Sequence, residues 1–216
     1  MGNRALSPPY ARYLARLIRP FANFDLFFIK HLRQKAVQLL ALKAGDRVVD
    51  AGCGWGASFP YLVNAVGPYG EVLGVEISPD LTFNARKRIE WNRYSNVRVL
   101  EEDARIVKLE DEFDGLMMFG APDVYASPQA LANLIGKLKD RGRFVAFGAK
   151  LSRRGFARLM NAPLRLLMKL SFSSTPPLCH EPWSVLQRYA EEVHVEEYFF
   201  GCMFLAWGSI GAKEKS

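Results

Sequence analysis

The chain reads as a doubly wound α/β domain with helices attached at its amino end. Three observations predict that class. From residue 45 onward, short apolar runs alternate with longer stretches of helical periodicity. Two of the runs, VLGVEI at 72–77 and GLMMFG at 115–120, have almost no polar interruption, as strands of a parallel sheet covered on both faces do. The first run, RVVDA at 47–51, leads straight into Gly52, Gly54 and Gly56, which lets a strand turn sharply into a helix on bare backbone.

The elements follow in order. Ser7, Pro8 and Pro9 make a helix start, because proline suits the first helical turn. Tyr10, Tyr13, Leu14, Leu17, Ile18 and Phe21 then share one face, with Arg12, Arg16 and Arg19 turned away, and Pro20 ends the segment. A second helix is expected over about 24–40, closed by the turn at 43–46. Strands are expected at 47–51, 71–77, 97–101, 113–119 and 143–148, with helices at about 57–66, 79–92 and 127–139 between them. Residues 153–172 form a basic, apolar helical segment broken near Pro163. A short helix at about 183–191 and two strand-like runs, 193–200 and 203–208, separated by Gly201, make a closing antiparallel hairpin.

Composition places the chain among ordinary globular proteins: 216 residues, 50% hydrophobic and 24% charged. No window approaches the roughly 18 apolar residues of a membrane-spanning helix. Arg4, Pro8, Pro9, Arg12 and Arg16 interrupt any signal-peptide pattern. Cys53, Cys179 and Cys202 are odd in number and lack metal spacing, as expected of a chain in a reducing cytoplasm. The net charge of +7 is uneven. Residues 1–45 carry eight Lys/Arg against Asp25 alone, residues 150–170 carry six and no acid, and the rest of the chain is net acidic. Such local basicity fits an anionic partner or a solvated helix face.

Glycine turns of this kind serve two ligand classes, dinucleotides among them, and the helix after the turn is expected to aim free N–H groups at the ligand. Asp50 separates the two. A carboxylate two residues before Gly52 repels a pyrophosphate and welcomes an ammonium group. Glu76, ending the next strand, can accept both ribose hydroxyls, and Asp103, ending the third βα unit, can take an adenine amino group. The competing reading of Asp103 is a helix cap.

VVDAGCGWG, VLGVEIS and VLEEDA resemble motif I, the acidic post-I motif and motif II of class I S-adenosylmethionine-dependent methyltransferases. The resemblance spans about residues 45–150 in motif order and spacing, and the closing hairpin fits that family's last two strands. It implies a Rossmann-like doubly wound sheet of seven strands, the last antiparallel, beneath an N-terminal helical lid. The lid is expected over 1–44, the cofactor-binding core over 45–150, a helical cap insertion over 151–180, and the closing helix and hairpin of the same domain over 181–216. Carried over, it implies that Gly52 and Gly54 pack against the methionine part of S-adenosylmethionine and Asp50 helps hold its amino group. Glu76 would bridge the ribose, Ile77 flank the adenine, Asp103 and Ala104 read its edge, and Phe119 and Gly120 border the methyl group. S-adenosylhomocysteine would be the product.

The chain departs from two well-marked branches. After the fourth strand it reads MFGAPDV, without the Asn-Pro-Pro-Tyr of enzymes that methylate planar amino groups, so no nucleic-acid partner is expected. Gly120 stands where metal-dependent catechol-type enzymes carry an acid, and His31, His180 and His194 have no ligand spacing, so no metal is expected. Asp123, Tyr125 and His180 are the candidates by position for a general base, His180 the best by chemistry. The expected acceptor is a small apolar or lipid-like molecule. The alternatives are a soluble tailoring enzyme of natural products and a cofactor-binding scaffold without turnover. Cytoplasmic location is expected, with the basic helices docking peripherally on the anionic inner face of a membrane as one reading of their charge.

Overall fold

A computed structural model describes residues 27–110, 112–153, 155–162, 164–165 and 178–211. The helix expected over 7–20, and residues 154, 163 and 166–172 of the segment expected over 153–172, lie outside them. The elements run α1 (Phe27–Leu40), β1 (Arg47–Ala51), α2 (Phe59–Val66), β2 (Glu71–Glu76), α3 (Pro79–Asn92), β3 (Val97–Glu101), β4 (Phe113–Phe119), α4 (Pro122–Tyr125), α5 (Pro128–Ile135) and β5 (Leu138–Ala149). Single 3₁₀ turns at Phe156–Met160 and Leu186–Arg188 precede β6 (Ala190–Tyr198), and a third, Phe199–Gly201, joins it to β7 (Met203–Ile210).

One seven-stranded sheet has the order β3-β2-β1-β4-β5-β7-β6. The first five strands are parallel, and β7 runs antiparallel to both β5 and β6. This is the doubly wound sheet with an antiparallel last strand. Strand order reverses between β1 and β4, so their carboxyl ends open a crevice between diverging connections.

Side chains alternate across the sheet, as a period of two requires. Val48, Val72, Val99, Met117, Val145 and Leu205 pack on one face with Leu32, Ala36, Val37 and Leu40 of α1 and Phe59 and Leu62 of α2. Val49, Leu73, Leu116, Met118, Phe144 and Phe204 pack on the other with α4, α5, Trp183 and Leu186. The described part of the expected lid is therefore a layer of the core: α1 buries an apolar stripe directly on the sheet.

Three boundaries differ from expectation for local reasons. The helix expected to reach 139 stops at Ile135, because Gly136 follows and Leu138 already pairs with Phe113. The ladder then skips to Arg143, opposite Gly115, across a bulge at Arg141 and Gly142. The helix expected over 183–191 shrinks to one 3₁₀ turn, since pairing of Ala190 with Ile210 draws AEEVHVEEY into an edge strand. Ion pairs hold that strand: Lys35 of α1 bonds Glu196 at 2.5 Å and the Tyr198 hydroxyl at 3.0 Å, and Lys150 pairs with Glu197. No helix among the described residues is long and apolar enough to cross a membrane.

Candidate cofactor and acceptor site

The loop after β1 is pinned from several sides. Gly52 and Cys53 both donate their N–H to the carbonyl of Val75 on β2, at 2.8 and 3.2 Å. Gly52 has φ +70°, and a Cβ there would stand 2.4 Å from the Cβ of Ala121, beyond β4. Its bareness thus serves the close approach of two chain segments at the reversal of strand order. Gly54, φ +57°, has nothing within 4 Å of where a Cβ would sit, so its open side is the approach left to a ligand. From α3, Arg88 donates to the Gly56 carbonyl at 3.2 Å and lays its guanidinium 4.0 Å from the Trp55 ring centroid.

Glu76 is the keystone of this region. It is buried at the end of β2, and its two carboxylate oxygens accept from the N–H of Gly54 and of Ser78, both at 2.9 Å. A residue expected to bind ribose therefore also holds the glycine loop against β2. Burial raises its pKa, the Ser78 and Gly54 bonds oppose that, and the nearby Asp123 charge adds to it. The next side chain, Ile77, is 53% exposed at the mouth of the crevice, an apolar surface suited to the face of a purine.

Asp50, at the end of β1, is 1% exposed. Burial pushes its carboxyl up to about 7 against the opposing charge of Arg33 and a hydrogen bond with the Ser58 hydroxyl, while Glu76 adds to the rise. Its Oδ2 is buried without a hydrogen-bond partner among the described residues. Such an atom is costly unless a donor is supplied, and an incoming ammonium is a donor of the right charge.

Asp103 and Ala104 follow β3. The Asp103 carboxylate accepts from the Arg105 N–H at 2.9 Å and pairs with the Arg105 guanidinium, which holds its pKa below the usual range. It closes a turn of its own, with no helix directly after it to cap among the described residues. Ala104 is buried, and its carbonyl accepts from the Asn133 side chain at 3.1 Å. Phe119 ends β4 stacked on Phe147, ring centroids 4.3 Å apart.

The three positional candidates for a base separate clearly. Tyr125 is fully buried, edge-on to Phe204, with its hydroxyl against the bare backbone of Gly148; it is a packing residue of the core. Asp123 stays solvent-exposed at the start of α4. His180 places Nδ1 3.0 Å from the Leu151 carbonyl. A carbonyl only accepts, so Nδ1 is the donor of this contact, and in the neutral ring Nε2 is the nitrogen that would carry the lone pair.

Arg33 and Ser58 belong to this site and carry no motif. Arg33 donates to the Ser58 hydroxyl at 3.0 Å and lies 4.2 Å over the Phe119 ring. A signal existed in the sequence: Ile29, Leu32, Arg33, Ala36, Val37 and Leu40 fall on one helical stripe, and Arg33 is its single charged member.

Residues 48–142 match the family described as "Methyltransferase domain". The N-methyltransferase NodS of Bradyrhizobium japonicum WM9, in complex with S-adenosyl-L-homocysteine, superposes with a TM-score of 0.65 at 16% identity, over 88% of this chain and 91% of that one. Over residues 48–142 the chain is thus similar to methyltransferase domains, and its fold is that of the NodS enzyme. Among curated relatives, protein-L-isoaspartate O-methyltransferase 2 of Archaeoglobus fulgidus is 31% identical over 116 residues, 53% of this chain and 51% of that protein. Demethylmenaquinone methyltransferase of Geobacillus sp. strain WCH70 is 25% identical over 175 residues, 79% and 74% respectively. The first of these two is matched over about half its own length. S-adenosylmethionine is the cofactor of such a domain. The residues present fit it: a buried carboxylate with one oxygen open for the ammonium, an open glycine, a buried glutamate at a strand end and an exposed apolar side chain beside it. When bound, the cofactor supplies an electrophilic methyl group on a sulfonium.

Proposed function

We propose that the chain transfers a methyl group from S-adenosylmethionine to a small apolar or lipid-like acceptor delivered across the β5–β7 rim. One observation carries the acceptor class. Around the buried Ser152, three segments meet: its Oγ donates to the Phe200 carbonyl at 2.8 Å, and its backbone N–H and carbonyl both bond the Asn161 side chain. The node carries the exposed side chains of Phe156, Leu159, Phe199 and Phe200, with Arg153 and Arg158 among them. Phe199 and Phe200 stand at φ +50° and +57°, a conformation bulky side chains avoid at a cost of about 1–3 kcal/mol each. An apolar and basic rim of this kind matches an apolar ligand or an anionic lipid surface. The relative that matches 79% of the chain acts, by its name, on demethylmenaquinone.

Methyl transfer from a sulfonium is an in-line displacement with a neutral leaving group, so positioning and exclusion of water can do most of the work. Where the acceptor is a hydroxyl or a protonated amine, a base is needed, and His180 Nε2 is the group offered for it. Asp103 and Ala104 would take the adenine edge, which requires Arg105 to release Asp103.

The test uses methyl-labelled S-adenosylmethionine, the purified protein and a cell extract divided beforehand into lipid and aqueous phases. Label in the lipid phase supports the reading. Label in the aqueous phase alone replaces it with a soluble tailoring reaction. No label in either phase, with S-adenosylhomocysteine still bound in calorimetry, leaves a cofactor-binding scaffold.

A further inference from the structure

A helix following a glycine turn ordinarily offers free N–H groups to an anion, and the sequence predicts that here. The structure withdraws them. In the first turn of α2, Phe59 donates to the Gly56 carbonyl, Pro60 has no N–H, and Tyr61 and Leu62 both donate to the Ser58 carbonyl. In the loop itself, Gly52, Cys53, Gly54 and Gly56 donate to Val75, Val75, Glu76 and Cys53. These backbone donors are engaged by the protein, yet the amino-acid end of the cofactor is a zwitterion with a carboxylate to be satisfied. A side-chain cation is the group suited to it.

Arg33 is placed for it. It reaches from the buried stripe of α1 over the end of β4, where Phe119 supports the flat guanidinium at 4.2 Å. It bonds the Ser58 hydroxyl, and Ser58 in turn bonds Asp50. The Ser58 side chain makes no cap to its own helix. A cation and an anion are thus held on opposite sides of one hydroxyl, at the switch point of the sheet, and Asp50 Oδ2 has no donor among the described residues.

We propose that Arg33 and Asp50 form a zwitterion clamp: Arg33 takes the α-carboxylate of S-adenosylmethionine and Asp50 its α-ammonium. The assignment rests on the cofactor reading above. The exchange is balanced in charge. With Asp50 ionised, Arg33 and Asp50 offset each other in the free protein, and the ligand's two charges meet them as a pair, so no uncompensated charge is buried. Arg33 suits the task better than lysine would, because a planar fork meets a carboxylate with two parallel bonds.

The experiment is a ligand-by-variant cycle read by calorimetry. The ligands are S-adenosylhomocysteine, its decarboxylated analogue and 5′-methylthioadenosine, which lacks the whole amino-acid end. With the unaltered protein, loss of the carboxylate should weaken binding about tenfold to a hundredfold, the range of a charged hydrogen bond. With Arg33→Gln, S-adenosylhomocysteine should weaken by a similar factor, while the other two ligands bind as they do to the unaltered protein. Arg33→Lys should recover part of the loss. Equal affinity of Arg33→Gln and the unaltered protein for S-adenosylhomocysteine overturns the clamp. So does a uniform loss across all three ligands, which would make Arg33 a structural support for Asp50. Failure of the unaltered protein to bind any adenosyl ligand overturns the cofactor reading itself, and the clamp with it.

Discussion

On the β1–β3 side of the crevice, the expected cofactor groups sit at or just after strand ends between Asp50 and Asp103, and hydrogen bonds between neighbouring connections tie them together. On the β5–β7 side, the rim is assembled from residues far apart in the chain: Ser152 bonds Phe200, Leu151 bonds Cys179 and His180, and Lys150 pairs with Glu197. On the first side Asp50 and Glu76 are buried, and Glu76 is satisfied by the N–H groups of Gly54 and Ser78. The second exposes phenylalanines and holds two of them in a strained conformation. The difference teaches a division of labour. On the proposed reading, a constant ligand would be met by local, closely packed geometry and an apolar acceptor by an exposed rim.

Substitutions can break or sharpen that contrast. The largest effect is expected at Gly52. A methyl group there meets Ala121 at 2.4 Å in a left-handed conformation, so Gly52→Ala should lower folding stability by about 3–4 kcal/mol, read as an early denaturant midpoint. Gly54→Ala should cost only about 1 kcal/mol of stability, since the space is open, while weakening S-adenosylhomocysteine. Equal destabilisation by the two would erase the distinction between a packing glycine and a ligand-facing one.

Glu76→Ala should weaken S-adenosylhomocysteine on the order of 100-fold, because it removes the ribose acceptor and the anchor of the Gly54 and Ser78 N–H groups together. Unchanged affinity in calorimetry would refute the ribose role.

Asp50 gives a pH signature. Its folded pKa, about 7, lies above the ordinary 3.8, so the native state holds a proton that the unfolded chain releases between those values. Stability therefore falls as pH rises from about 4 to 7, and the full cost is present above 7. About three units correspond to at most ~4 kcal/mol, and roughly 2 kcal/mol is expected after local relaxation. Asp50→Asn should melt higher than the unaltered protein at pH 8, and the gap should close toward pH 4. In the unaltered protein, affinity for S-adenosylhomocysteine should rise up to tenfold per unit below pH 7 and then level, a rise absent from the variant.

The smallest effect is expected on the rim. Phe200 is 80% exposed at positive φ, so Phe200→Gly should stabilise the fold by up to about 1 kcal/mol while reducing binding to vesicles containing anionic lipid. A clear loss of stability would show that Phe200 serves packing.

The parallel strands, the glycine turn and the acidic residues at strand ends were legible because each is a local pattern. Period-two burial places Val48 and Val49 on opposite faces, and Asp50 precedes Gly52 by two positions whatever the rest of the chain does. Asp50, Gly52, Gly54, Glu76, Ile77, Asp103 and Ala104 are therefore found at or beside the carboxyl ends of the first three strands, where their spacing puts them. Tyr125 looked like a crevice residue because it follows the fourth strand; burial against Phe204 and Gly148 is a tertiary fact. Arg33 escaped because nothing within its helix says what stands opposite it.

The sequence by itself determined the α/β class, the order of the first five strands along the chain and the carboxylates that end them, since these follow from periodicity and backbone sterics. Only the tertiary structure decided that α1 is a layer of the core, that Glu76 binds the glycine loop as well as facing the crevice, and that Arg33 meets Ser58 beside Asp50. Those facts depend on pairs distant in sequence brought together by burial on a common sheet, and a local pattern cannot encode a contact whose other half lies on another element.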